Sequence, residues 1–263
     1  MKQLAVLACA GWKGAGRYTS SVRLPAPFLP LGDGTTAAGR LSAQFRSLGF
    51  DVALSVGPLG YRYRDYQPRH GFWDSRMSAE EACRTMEVDP DGTPWTEELH
   101  AYARTLGTLV VQPDPGWRTK HDSYCRALET LGGYDRAVLA RGDRVYDFRF
   151  LARLLEVGPW PSQFSFDVSD ALFLLDREGM GIYRSEAQDY RERSRANRNW
   201  DQEMTHHPDG SSGTGRLHRA GIPHCGFHLP PWDKVDKSGL RLNVDQPRDY
   251  AEARRRILDG WCS

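Results

Sequence analysis

Three groups of residues in this 263-residue chain have types and spacings suited to chemistry. The first is a loop rich in glycine and basic residues, Gly11-Trp12-Lys13-Gly14-Ala15-Gly16-Arg17, placed directly after the apolar run Leu4-Ala5-Val6-Leu7-Ala8. Glycine frees backbone N–H groups for a ligand, and Lys13 and Arg17 add positive charge, so such a loop suits phosphate. Its spacing matches neither of the common glycine-rich phosphate fingerprints. The second group is Gly142-Asp143, which follows the apolar run Ala137-Val138-Leu139-Ala140 and sets an acid at the carboxyl end of a buried strand. That edge is where open α/β sheets bind their ligands. The third is the tract His206, His207, His218, His224, Cys225 and His228. Neutral imidazoles and a thiolate suit zinc, yet the spacing fits no standard zinc module, and Pro223 and Gly226 argue against a helix that would display His224 with His228.

The elements that must position these groups follow from hydrophobic periodicity. Residues 35–48 predict a helix with Ala38, Leu41, Phe45 and Leu48 along one stripe, stopped by Gly49. Residues 51–56 are apolar almost throughout, as a parallel strand covered on both faces would be. Strand, glycine loop, helix and strand in that order make half of a nucleotide-binding α/β domain. Further on, helices are predicted over 96–106, 120–131 and 147–156, the last with Phe148, Leu151, Leu154 and Leu155 inward. Strands are predicted over 108–112, 134–141, 171–175 and 181–184, the last two joined by the turn Asp176-Arg177-Glu178-Gly179. The chain closes with strands within 222–229 and 239–244 and a helix from about 246 to 258. The fold class expected is α/β, a three-layer α/β/α sandwich on a mostly parallel mixed sheet. One domain spans 1–263, with an insertion at about 58–95 and a polar excursion at about 185–220. The insertion interleaves Tyr61, Arg62, Tyr63, Arg64 and Tyr66 with later aromatics. Such a texture can stack on a base, and a loop packing its own rings has the same composition.

Charge and cysteine content narrow the field. With 35 basic and 34 acidic residues the net charge is +1, so bulk charge supports neither nucleic-acid nor membrane binding. No apolar run approaches the roughly 20 residues of a membrane span, and a cytoplasmic location is expected. Cys9, Cys83, Cys125, Cys225 and Cys262 are odd in number and lack C-x-x-C spacing, which points to reduced thiols.

Four marks occur in a telling order: the glycine loop after the first strand, the proline segment ending Leu29-Pro30-Leu31-Gly32-Asp33-Gly34, the strand-end Gly142-Asp143, and Leu242-Asn243-Val244-Asp245-Gln246-Pro247-Arg248-Asp249 before the last helix. In this the sequence resembles the nucleotidyltransferases that make nucleoside-diphosphate sugars and related activated alcohols. The resemblance runs over nearly the whole chain. It implies a Rossmann-like fold and transfer of a nucleoside monophosphate from a nucleoside triphosphate to a sugar phosphate or phosphorylated alcohol, with release of pyrophosphate. It further implies that Ala10, Gly11, Gly14, Gly16 and Arg17 surround the nucleotide phosphates and that Asp143 and Asp245 hold Mg²⁺, an ion suited by hard carboxylates.

One position departs from the pattern. The family's lysine in the proline segment, which neutralises phosphate charge, falls on Ala26, and an alanine cannot do that. Lys13, Arg17, Arg23 and Lys120 are the candidate catalytic cations. Either the cation has migrated or the fold is kept with catalysis altered or lost. A glycosyltransferase of the related nucleotide-sugar fold needs no lysine at Ala26, but a D-x-D pair near Asp143 is missing. A noncatalytic binding protein that keeps the fold is the third reading. Without any such role, Asp143 is a turn residue and Asp245 a helix cap assisted by Pro247.

Overall fold

The computed structural model describes residues 1–9, 24–60, 67–68, 86–87, 95–112, 120–167, 170–193, 216–228, 231–235, 239–244 and 247–261. The chain opens with β1 (Gln3–Ala8), in which Leu4 and Val6 face one side and Ala5 and Leu7 the other, all at most 1% exposed. A strand buried on both faces belongs in the middle of a sheet, and β1 lies between β2 (Asp51–Val56) and β6 (Arg136–Arg141), parallel to each. Between β1 and β2 come a 3-10 turn (Ala26–Phe28) and α1 (Ala37–Ser47). The Thr36 hydroxyl caps α1 by accepting from the Gly39 N–H at 3.0 Å, and Gly49 ends it at φ +84°.

Two short strands, β3 (Gln67–Pro68) and β4 (Met86–Glu87), pair antiparallel with each other; the rest of the insertion lies outside the described residues. Next come α2 (Glu97–Leu106), β5 (Thr108–Val111) and α3 (Lys120–Thr130), which leads into β6. β7 (Arg144–Tyr146), α4 (Phe148–Val157), β8 (Ser162–Asp167), β9 (Asp170–Asp176) and α5 (Arg177–Arg193) follow, and then α6 (Arg216–Arg219), β10 (His224–Gly226), β11 (Arg241–Asn243) and α7 (Pro247–Leu258). Seven strands form one mixed sheet in the order β10-β8-β9-β6-β1-β2-β5, with β9 antiparallel to both neighbours and the remaining pairs parallel.

Alternation along the strands divides the core into two layers. On one face Ala5, Leu7, Leu54 and Val138 pack with Leu41 and Phe45 of α1, Leu99 and Ala103 of α2, and Leu151 and Leu154 of α4. On the other, Leu4, Val6, Leu139 and Phe173 pack with Tyr124 and Leu128 of α3, Tyr183 and Ala187 of α5, and Leu217 of α6. The architecture is therefore the α/β/α sandwich with a mostly parallel mixed sheet.

The structure corrects the sequence reading at three elements. Residues 181–184 are not a strand but part of α5, whose first turn is capped by Asp176 accepting from the Gly179 N–H at 2.8 Å. Gly179 suggested a turn; its small size instead serves contact, since a Cβ there would lie 2.6 Å from Pro161 Cβ. Tyr183 and Ala187, four apart, are fully buried, as one helix face requires. Phe148, expected inward, is 38% exposed, and Phe150 at 6% takes that place. Phe148 is the first residue of α4, at the rim of the stripe formed by Phe150, Leu151, Leu154 and Leu155, and Asp147 caps this turn by accepting from the Phe150 N–H at 2.9 Å. β8 was not anticipated, because its buried Ser162, Gln163 and Ser165 break the apolar pattern; Gln163 Nε2 donates to Ser165 Oγ at 3.3 Å.

Replacing Tyr183 by alanine removes the ring that joins α5 to His121 and Phe173. The substitution is expected to cost about 3–5 kcal/mol in urea denaturation. A loss below about 1 kcal/mol would show that α5 does not depend on this anchor.

Candidate functional site at the carboxyl edge of the sheet

Because β1, β2, β5 and β6 are parallel, their carboxyl ends form one edge, and hydrogen bonds carry the ladder past the last paired residues. The Cys9 N–H donates to the Ser55 carbonyl (2.9 Å), the Gly142 N–H to the Ala8 carbonyl (3.0 Å), and the Gln112 N–H to the Val56 carbonyl (2.8 Å). Cys9, Ser55 and Gln112 are buried at this edge, and Gln112 Nε2 donates to Ser55 Oγ at 2.5 Å. Burial first, and the negative charge of Asp143 second, push the Cys9 thiol well above its usual range. Nearby, Gly57 accommodates the indole of Trp95, and a His100 ring nitrogen, Nε2, is 2.8 Å from the Gly57 carbonyl oxygen.

Gly142 owes its place to crowding. A Cβ there would collide with Cys9 Sγ and come within 3.1 Å of the Ala8 carbonyl, so only glycine lets β6 turn this close to β1. The turn delivers Asp143, 8% exposed, to two guanidiniums. Arg141 grips the carboxylate with both arms, Nε to Oδ1 at 3.0 Å and Nη2 to Oδ2 at 2.7 Å. Arg144 approaches with Nη1 3.1 Å from Oδ1 and also donates to the Asp143 carbonyl and to Asn243 Oδ1. Asn243 Nδ2 in turn donates to Asp249 Oδ2 at 3.0 Å on α7.

This network lies where β7 pairs antiparallel with β11, Arg144 opposite Asn243. At the end of the ladder the Val244 N–H donates to the Asp143 carbonyl at 3.2 Å. A separate apolar cluster of Leu31, Ala37, Val145, Leu242, Val244, Ala253 and Ile257 holds β11 and α7 against the body of the fold. The Tyr250 hydroxyl adds a bond to the Pro30 carbonyl at 2.6 Å.

Of the residues singled out in the sequence, Ala10, Gly11, Lys13, Gly14, Gly16, Arg17, Arg23 and Asp245 lie outside the described residues. Lys120 is half-buried as the first residue of α3. The carboxyl end of α3 leads back to the amino edge of the sheet, where the Asp135 N–H donates to the Lys2 carbonyl. Its amino end, about 16 Å away at 1.5 Å per residue, therefore belongs to the same edge as Asp143. Ala26 is 1% exposed and packs with Leu29, Leu24 and Tyr250. His224 and His228 stack across Gly226 with ring centres 5.4 Å apart. No group of three or more His, Cys, Asp and Glu side chains suited to a metal occurs among the described residues; His206 and His207 are not among them.

Sequence reasoning missed Arg141, Arg144, Asn243 and Asp249. A signal was present: Arg141 and Asp143 are opposite charges separated only by Gly142, close enough to pair.

Solved structures with the same architecture are inositol-1-phosphate CTP transferase from T. maritima and apo-UDP-glucose pyrophosphorylase. The first is 12% identical with TM-score 0.54, over 98% of this chain and 97% of that one. The second is 10% identical with TM-score 0.53, over 98% and 99%. A homolog of Mycobacterium tuberculosis Rv0371c from mycobacterium sp. strain JC1 is 18% identical over 98% and 97%, with TM-score 0.47. No protein-family model matches the sequence, and no curated protein is found to be similar to it. The chain thus has a nucleotidyltransferase-like fold.

Gly142→Ala is expected to destabilise the protein by about 1–3 kcal/mol through overpacking. Gly132→Ala, where a Cβ would meet nothing within 4 Å, serves as the control. Equal denaturation midpoints for the two would contradict the close approach at Gly142.

Proposed function

We propose that the protein is a Mg²⁺-dependent nucleotidyltransferase that moves a nucleoside monophosphate from a nucleoside triphosphate onto a sugar phosphate or phosphorylated alcohol. The acceptor's phosphate oxygen forms the new bond to the α-phosphorus, the bond to the bridging oxygen breaks, and pyrophosphate leaves. The observation that carries this reading is the junction of two distant segments at the carboxyl edge. Asp143 ends one, and its carbonyl receives the N–H of Val244, the residue that precedes Asp245. Further support comes from the fold, shared with a protein named for CTP transfer to inositol 1-phosphate and with a UDP-glucose pyrophosphorylase.

The donor chemistry suits the ion. A carboxylate is the hard oxygen ligand that Mg²⁺ prefers, and the Asp143 carboxylate already holds a cation, the Arg141 guanidinium, in its place. Asp143 and Asp245 would hold Mg²⁺, which when bound supplies charge neutralisation to the triphosphate. By the sequence resemblance, backbone N–H groups of Ala10, Gly11, Gly14 and Gly16 would cradle the phosphates, with Arg17 beside them. Ala26 is packed against Leu29 and Tyr250, and the charge absent there would be supplied by Lys13, Arg17, Arg23 or Lys120. These residues orient the phosphates in line with the attacking oxygen and stabilise charge that grows in the transition state.

Thermal unfolding with each of the four common nucleoside triphosphates and Mg²⁺ tests the reading. At least one is expected to raise Tm by about 5 °C or more at a hundredfold excess over Kd, and the same one should release pyrophosphate with a phosphorylated acceptor. No shift with any triphosphate at millimolar concentration would overturn the proposal. Stronger protection by a nucleotide sugar would point to glycosyl transfer.

A further inference from the structure

Asp143 is held by two arginines that are placed differently. Arg144, 3% exposed at its side chain, is built into the β7–β11 junction through the Asp143 carbonyl and Asn243. Arg141 is the last residue of β6, with a side chain 12% exposed, and it reaches Asp143 from the edge at which the sheet presents its ligand site. We infer that Arg141 is an exchangeable counter-ion: in the nucleotide-free protein it closes the Asp143 carboxylate to metal, and on arrival of a metal-bound triphosphate its guanidinium transfers to the phosphates and releases Asp143 to the ion. This rests on the nucleotidyltransferase reading above.

Three physical points carry the inference. Both carboxylate oxygens face guanidinium N–H groups at 2.7–3.1 Å, so an approaching divalent cation meets two positive charges around this anionic ligand. Guanidinium pairs in the same forked geometry with carboxylate and with phosphate, so Arg141 can exchange one acceptor for the other without losing charge-assisted bonds. The exchange also leaves Arg144 where it is, and with it the junction that positions Asp143. Metal alone therefore binds poorly, and metal with triphosphate binds well, a positive coupling between the two ligands. A permanent brace between Arg141 and Asp143 would leave only the coupling that the triphosphate's own hold on the metal supplies, and Arg141 substitutions would not alter it.

The test measures Mn²⁺ binding to the full chain without nucleotide by the loss of the free-ion paramagnetic resonance signal, and binding of the preformed complex of Mn²⁺ with a non-hydrolysable triphosphate by titration calorimetry. Without nucleotide, Arg141→Gln should bind Mn²⁺ at least about tenfold tighter than the unaltered protein, the size expected when one close positive charge is removed from a partly buried site. With nucleotide its affinity for the metal-triphosphate should stay within about threefold of the unaltered protein's, because the bond Arg141 gives to phosphate replaces the one it gives up at Asp143, so the advantage of metal-triphosphate over metal alone falls at least about tenfold. Arg141→Lys keeps the charge and should fall between. Asp143→Asn combined with Arg141→Gln should lose the gained metal affinity. Unchanged or weaker Mn²⁺ binding by a folded Arg141→Gln, while triphosphate still binds the unaltered protein, overturns the exchange alone. If Arg141→Gln does not fold, Arg141→Lys decides, and metal affinity equal to that of the unaltered protein with equal triphosphate affinity overturns it. Failure of any triphosphate to bind any variant overturns the functional reading and the exchange together.

Discussion

The Asp143 carboxylate, caught between Arg141 and Arg144, is the interaction on which the carboxyl edge depends. A buried ion pair adds little net stability, because desolvation of both charges offsets their attraction. Its effect is on position. Through Arg144 the pair reaches Asn243, and through Asn243 it reaches Asp249, so a strand end in the middle of the sheet is tied to the last helix of the chain. Residues 99 positions apart in sequence are thereby fixed at one place, and removal of the Asp143 carboxylate would bring two guanidiniums together without the anion they share.

That placement works because the scaffold beneath it does not yield. β1 and β6 are covered on both faces by separate apolar clusters, and a close-packed interior transmits the position of a strand to its end. Gly142 then brings β6 against Cys9 and Ala8, and the β7–β11 ladder begins one residue beyond Asp143. The smaller cluster around Val145, Leu242 and Ile257 supplies the hydrophobic part of the same junction, where apolar burial stabilises and the polar network sets register.

Much of the framework was legible in the sequence, for identifiable reasons. Strand Asp51–Val56 and the helices after Thr36 and Thr96 carry unambiguous periodicity and side-chain caps, and their limits fall within a residue or two of the expected ones. Helix Arg177–Arg193 was misread because Asp176-Arg177-Glu178-Gly179 imitates a turn; the capping role of Asp176 and the contact of Gly179 with Pro161 show only in the folded chain. β8 hid behind its buried serines and glutamine. At the site, Asp143 was visible from its place after an apolar run. Its arginine partners were not weighed, because a sequence shows that charges are near one another without showing which of them pair. Asn243 and Asp249 become relevant only once β11 is laid against β7.

The most direct measurement is a crystal structure with Mn²⁺ and a non-hydrolysable nucleoside triphosphate, the ion located by its anomalous scattering. The account predicts the ion at about 2.0–2.2 Å from an Asp143 carboxylate oxygen, bridging to the triphosphate, with the Arg141 guanidinium turned onto a phosphate. An ion bound elsewhere, with both arms of Arg141 still on Asp143, would contradict it.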